Sequence, residues 1–292
     1  MQAIIKATAV AGLVALSAQT LAAAPAAVVE GVQMPAWIER QGGARVPLAP
    51  GMELKAGDQV RTGANSRLLV KLAEGSLVKL GENGTLRIAE IEPQSEGLFK
   101  AALGVVEGAF RFTTDALAKG RRRDVRITVA TVTAGIRGTD LWGKSDTADR
   151  QIVCLIEGRI EVGAAGETPV TMDQPRQFYQ RTRGQTAPIG FVEPAQLAEW
   201  AKETEIAAGT GAARQGGRFR VSLAQADTQA AALAVYDQVR DAGYAARILP
   251  MKVGEKLVYD VRIGNLPSKA EAEALAGQLR GKHGVVEPKV SG

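Results

Sequence analysis

The sequence predicts a multidomain chain. An all-β unit of sandwich or roll type spans residues 28–192, and a small α+β unit of ferredoxin-like type, βαββαβ, spans residues 218–292. Three observations predict this. Turn signals recur at short intervals through the first region: Gly42-Gly43, Pro50-Gly51, Gly57-Asp58, Glu74-Gly75, Glu82-Asn83-Gly84, Glu107-Gly108 and Glu157-Gly158. The segments between them are short and alternate, with Leu68, Val70 and Leu72 on one face, which reads as many strands spaced by about 8–12 residues. After residue 218 the apolar spacing switches twice from every second residue to helical spacing and back.

The elements follow in order. Lys6 is the only charge before Glu30, residues 7–16 are apolar, and the small residues Ala22, Ala23 and Ala24 come next. This layout predicts a cleaved secretory signal peptide over residues 1–24 and a mature protein in the periplasm. The apolar run is shorter than the ~20 residues needed to span a bilayer, and no Cys follows it to carry a lipid. Strands are predicted at 67–72, 77–80, 85–91, 105–112, 125–132, 152–156 and 159–162. Pro194 suits a first helical turn, with Leu197, Trp200, Ala201 and Thr204 as the apolar stripe. Residues 209–217 have the composition of a flexible linker, so 193–217 reads as a short helix and a Gly-rich linker. They lack the third glycine and the strand–turn–helix setting of a phosphate loop.

In the last region Phe219, Val221 and Leu223 alternate with Arg220 and Ser222, which is a strand. Asp227 or Thr228 caps a helix carrying Ala232, Val235, Tyr236 and Val239, which stops near Gly243. A second strand covers 244–251. In a third, Leu257, Tyr259, Val261 and Ile263 alternate with Val258, Asp260 and Arg262. Ser268-Lys269-Ala270-Glu271 is a capping box, and its helix puts Ala272, Leu275, Ala276 and Leu279 on one face. Residues 285–290 form the last strand. Two similar halves of this kind make one antiparallel sheet with both helices on one side. The other side is open, and alternation places Arg220, Ser222, Arg247, Asp260, Arg262, Glu287 and Lys289 on it. Tyr259 falls on the helix side; Tyr244 is a candidate for stacking on a sugar.

Composition excludes much of the chemistry. One Cys and one His rule out an intramolecular disulfide and a zinc site made only of Cys and His. A nucleophile–His pair would need His283, which sits in a turn, beside Cys154, which sits in an apolar strand of the other unit and reads as core. No Gly-x-Ser-x-Gly elbow occurs. The expectation is a binding protein, not an enzyme, with no cofactor and no metal. The net charge is +5; residues 214–292 hold 12 basic and 8 acidic residues, so basicity is concentrated there. A basic surface favours an anionic partner. Export argues against nucleic acid and leaves anionic cell-wall polymer or lipid. The run Arg121-Arg122-Arg123 reads as a solvated loop, and Arg137-Gly138-Thr139-Asp140 as a structural turn.

Two family resemblances complete the reading. Residues 31–190 resemble a FecR domain. The match rests on Leu54-Lys55-Ala56-Gly57-Asp58-Gln59-Val60-Arg61-Thr62-Gly63, on Ser66-Arg67-Leu68-Leu69-Val70-Lys71-Leu72, and on Val129-Ala130-Thr131-Val132-Thr133-Ala134-Gly135-Ile136-Arg137-Gly138-Thr139-Asp140-Leu141-Trp142. Residues 217–291 resemble a SPOR (sporulation-related repeat) domain, through Phe219-Arg220-Val221-Ser222-Leu223-Ala224-Gln225 and Val258-Tyr259-Asp260-Val261-Arg262-Ile263-Gly264-Asn265-Leu266. The second resemblance implies binding of septal peptidoglycan, as glycan strands denuded of stem peptides, on the open sheet face. Arg220, Ser222, Arg247, Asp260 and Arg262 are then the peptidoglycan-binding residues. Ser222 stands where that family often has Gln, and Ala226 where it has an aromatic. The first resemblance implies an envelope interaction or sensing module that meets another envelope protein. Sigma-factor control from the inner membrane is not carried over, because a signal peptide occupies the place of the membrane span. The alternative is a signalling or assembly adaptor in which both domains bind proteins.

Overall fold

The computed structural model describes residues 25–95, 98–114, 122–136, 138–147 and 149–292. The expected signal peptide, Arg121 and Arg137 lie outside the described residues. The first seventeen strands are β1 (Ala27–Gln33), β2 (Ala36–Glu39), β3 (Val46–Pro47), β4 (Gln59–Thr62), β5 (Arg67–Leu72), β6 (Leu77–Leu80), β7 (Thr85–Ser95), β8 (Leu98–Thr113), β9 (Arg122–Val129), β10 (Val132–Ile136), β11 (Asp140–Thr147), β12 (Arg150–Glu157), β13 (Ile160–Ala164), β14 (Val170–Met172), β15 (Gln177–Thr182), β16 (Gln185–Thr186) and β17 (Gly190–Phe191). Alternation decides what they bury: β5 turns Leu68, Val70 and Leu72 inward, and β9 turns Val125, Ile127 and Val129 inward.

These strands form two sheets that share β8. One runs β1–β5–β6–β8–β11–β12–β15. The other runs β3–β2–β4–β7–β8–β9–β10–β13–β14. Their pairings are antiparallel except β8–β9. The switch between sheets falls at Gly108, where φ is +89° and an added Cβ would lie 2.6 Å from the Cα of Gly84; only glycine fits that corner. The shared core includes Ile38, Leu86, Phe99, Phe110, Phe112 and Leu141.

The connector is not free. Helix α1 (Pro194–Lys202) covers the outer side of the first sheet, with Trp200 stacked on Trp142 at 4.7 Å between ring centroids. Ala109, Ile152, Cys154 and Val192 complete this second apolar cluster. Beyond the helix, Glu203 pairs with Lys144 at 2.9 Å, and Glu205 pairs with Lys79 and with Arg111. Strand β18 (Ala213–Arg214) then joins the free edge of β1, opposite Val32 and Gly31. The composition of 209–217 predicts a flexible linker; the structure lays it as a strap along the first unit. Its glycines serve close packing as well as turning: Gly211 has φ +78°, and a Cβ there would sit 3.0 Å from the Leu275 nitrogen.

The last unit has the predicted order: β19 (Phe219–Ala226), α2 (Gln229–Asp241), β20 (Arg247–Val253), β21 (Lys256–Leu266), α3 (Lys269–Leu279) and β22 (Lys289–Ser291). The sheet order is β20–β21–β19–β22, all antiparallel. Thr228 caps α2 by accepting from the Ala231 N–H. The box at α3 is only half a cap. Ser268 Oγ accepts from the Glu271 N–H at 3.2 Å. The Glu271 carboxylate instead takes the N–H groups of Gly209, Gly211 and Ala212 at 2.6, 2.7 and 3.0 Å. Glu271 is 7% exposed, so a buried charge bolts the strap to the last unit. Ala36 N–H to the Gly243 carbonyl, at 3.2 Å, adds a direct bond between the units. Among the described residues no helix is long and apolar enough to cross a membrane.

Candidate functional site

The open sheet face is set by register. Arg247 lies opposite Arg262, Arg262 opposite Ser222, and Ser222 opposite Lys289, which makes one row across all four strands. Cross-strand partners share a face, so three cations and a hydroxyl line up about 5 Å apart. Arg220 stands two residues before Ser222 on the same side. Asp260 stands two residues before Arg262 and is 4% exposed. Its Oδ1 accepts from Ser222 Oγ, and its Oδ2 is 3.8 Å from the Arg262 guanidinium. The structure therefore brings Arg220, Ser222, Arg247, Asp260 and Arg262 to one face.

Electrostatically the face is unbalanced. Among the described residues Arg262 has the Asp260 ion pair, and Arg218, Arg220, Arg247 and Lys289 have no carboxylate partner. Like charges directly opposite each other, as Arg247 and Arg262 are, oppose folding. An anion laid over them relieves that cost.

A bulge changes the remaining assignments. Ser222 pairs with Arg262 but Ala224 pairs with Val261, so Leu223 is an extra residue and Leu223 and Ala224 both face the helices. Gln225 then falls opposite Asp260 on the open face, and Ala226 opposite Tyr259 on the core side. Simple alternation from Phe219 misses Gln225. Tyr244 packs into the core near His283, and burial raises its pKa; it is not a platform on the open face. Sequence reasoning also missed Arg218, whose signal was its spacing from Arg220. It missed Leu249, which shares the face of Arg247.

At one end of the sheet these side chains line a groove of about 250 Å³. Arg218, Phe219, Arg220, Arg247, Leu249 and Arg262 come from the last unit; Met34, Ala49 and Pro50 come from the first. No sequence signal announces that second set.

The other candidate chemistry is structural. Asp140 receives Arg111 in a forked pair, Nε to Oδ1 at 2.9 Å and a terminal nitrogen to Oδ2 at 2.7 Å. That bond is the main reason the Arg111 pKa is raised. The thiol of Cys154 is fully buried, and burial pushes its pKa up to about 12, so it is no nucleophile. Among the described residues no group of three or more His, Cys, Asp and Glu side chains is placed to hold a metal ion.

Comparison with known proteins agrees with the two-unit architecture. Residues 58–161 match the FecR protein family, and residues 215–287 match the SPOR domain. No curated protein matches the chain. Two crystal structures of a "putative anti-sigma factor" from Parabacteroides distasonis ATCC 8503 are similar to it at 15% and 14% identity. Each similarity covers 76% of this chain and 89% of that one, with a TM-score of 0.39. The chain therefore carries a FecR domain followed by a SPOR domain.

Proposed function

We propose that this protein is a non-catalytic periplasmic binding protein whose SPOR sheet binds the glycan strands of peptidoglycan after their stem peptides are removed. The observation that carries this reading is the cationic row of Arg247, Arg262 and Lys289 with Arg220 beside it, in which, among the described residues, Arg262 alone has a carboxylate partner, Asp260. Denuded strands expose lactyl carboxylates on alternate sugars. A guanidinium meets a carboxylate with two parallel N–H bonds, which a single ammonium cannot do. Arg220, Arg247 and Arg262 contact the ligand, and Ser222 and Asp260 hold Arg262 in place. Binding of this kind recruits the protein to division sites, where such strands arise. The FecR domain is the envelope interaction or sensing module and meets another envelope protein.

The test is cosedimentation of the full chain with purified sacculi before and after amidase treatment. Binding should rise on removal of the stem peptides and disappear in the Arg220→Glu, Arg262→Glu double variant. Equal retention of wild type and double variant would remove the sheet face as the site. No retention of either would turn the reading to protein partners, the adaptor alternative.

A further inference from the structure

The SPOR sheet is open on its face but closed at one end. Strand β21 runs antiparallel to both β19 and β20, so the starts of β19 and β20 and the end of β21 lie together. That end abuts the FecR domain. The Ala245 N–H points at Met34 Sδ, 3.4 Å away, and Ala36 bonds the Gly243 carbonyl. The groove lies in this corner. Its floor is cationic, with Arg218, Arg220, Arg247 and Arg262; its wall is apolar, with Met34, Ala49 and Pro50. The wall is held in place. Pro50 and Gly51 (φ +84°) form the turn that carries it, and the strap is anchored on one side by β18 pairing with β1 and on the other by Glu271.

We infer that the glycan site is composite, and that the FecR domain supplies one of its walls. The inference rests on the glycan reading above and adds to it. The strand lies across β19, β21 and β20. One edge presents carboxylates to the arginines; the other presents acetamido methyl groups and sugar faces to Met34, Ala49 and Pro50. An N-acetylated, carboxylate-bearing polymer has both kinds of edge. A purely anionic polymer, such as one built on phosphate, has no use for the apolar wall. The FecR domain thereby selects for the sugar as well as positioning the sheet, and ligand binding registers at its surface.

The test uses the full chain. Ala49→Glu puts a carboxylate opposite the arginines, at a partly exposed turn position outside the core. Its affinity for amidase-treated sacculi should fall at least about tenfold, with the melting temperature unchanged and with Ala49→Ser binding as wild type. Independently, a polarity-sensitive fluorophore on Ala49→Cys should respond to soluble denuded glycan, and the same label on Thr171→Cys, exposed on a distant strand of the FecR domain, should not. The buried Cys154 does not compete for the label. If wild type binds while Ala49→Glu binds equally well and the label at 49 stays silent, the composite site is overturned and the sheet alone reads the glycan. If wild type does not bind, the glycan reading and this inference fall together. If Ala49→Glu does not fold, the fluorophore response decides.

Discussion

Arg111 in the FecR domain and Arg220 in the SPOR sheet are both basic side chains on the surface of a strand, and they stand in opposite surroundings. Arg111 is forked onto Asp140 and also reaches Glu205. Elsewhere in the first unit, Arg40 faces Asp58, Arg61 faces Glu39 and Arg159 faces Asp173. The SPOR sheet, by contrast, sets Arg247 directly beside Arg262 and leaves Arg220 without an acid. A satisfied arginine maintains the fold. A row of cations set side by side costs folding energy, which the proposed anionic ligand would offset. On the proposed function, the difference separates structural charge from binding charge more sharply than the count of basic residues does.

Substitutions test whether the two kinds of arginine differ in this way. The largest effect is expected at the bolt between the two regions. Glu271→Ala strands the N–H groups of Gly209, Gly211 and Ala212 and should cost about 4 kcal/mol, since each buried donor left without an acceptor costs roughly 1–3 kcal/mol. Calorimetry should then show the SPOR transition separating from the FecR transition; a single unshifted transition would refute the bolt. Next comes Asp140→Ala, which leaves Arg111 with Glu205 as its one acid. It should lower urea stability by about 3 kcal/mol, and a loss under about 1 kcal/mol would place Arg111 among the dispensable surface pairs. The mirror experiment is Arg220→Ala, which removes a guanidinium that has no carboxylate partner among the described residues. Stability should change by no more than about 0.5 kcal/mol, while retention on amidase-treated sacculi drops. A large stability loss there would make Arg220 structural and erase the distinction.

The smallest expected effect concerns pH. Burial raises the Cys154 thiol from its ordinary 9.0 to about 12, so folding favours the protonated form. Stability lent by the thiol is therefore full below pH 9.0 and is lost as pH rises towards about 12. The urea-stability difference between wild type and Cys154→Ala should shrink across that window. A constant difference would mean that the thiol is not desolvated in the native state.

Much of this molecule is legible in its sequence. Period-two spacing marks β5 and β21, turn residues mark the strand ends, and Thr228 and Ser268 mark two helix starts. The same spacing puts Arg220, Ser222, Arg247, Asp260 and Arg262 on one face, because side-chain direction along a strand is a local property. Other features arise from long-range packing. An extra residue at Leu223 turns Gln225 outward, and only pairing with β21 reveals it. Glu271 sits where a capping box belongs, yet its carboxylate goes to a strap about sixty residues upstream. The Gly-rich strap has a linker's composition and is ordered by partners it does not contain. Met34 meets Ala245 across 211 positions of chain and builds a wall that no local pattern signals. Hydrophobic period and turn chemistry act between neighbours and are written in neighbouring letters. The partner of a buried charge, and the wall of a groove, are fixed by which distant surfaces pack together, and that is settled only when the whole chain has folded.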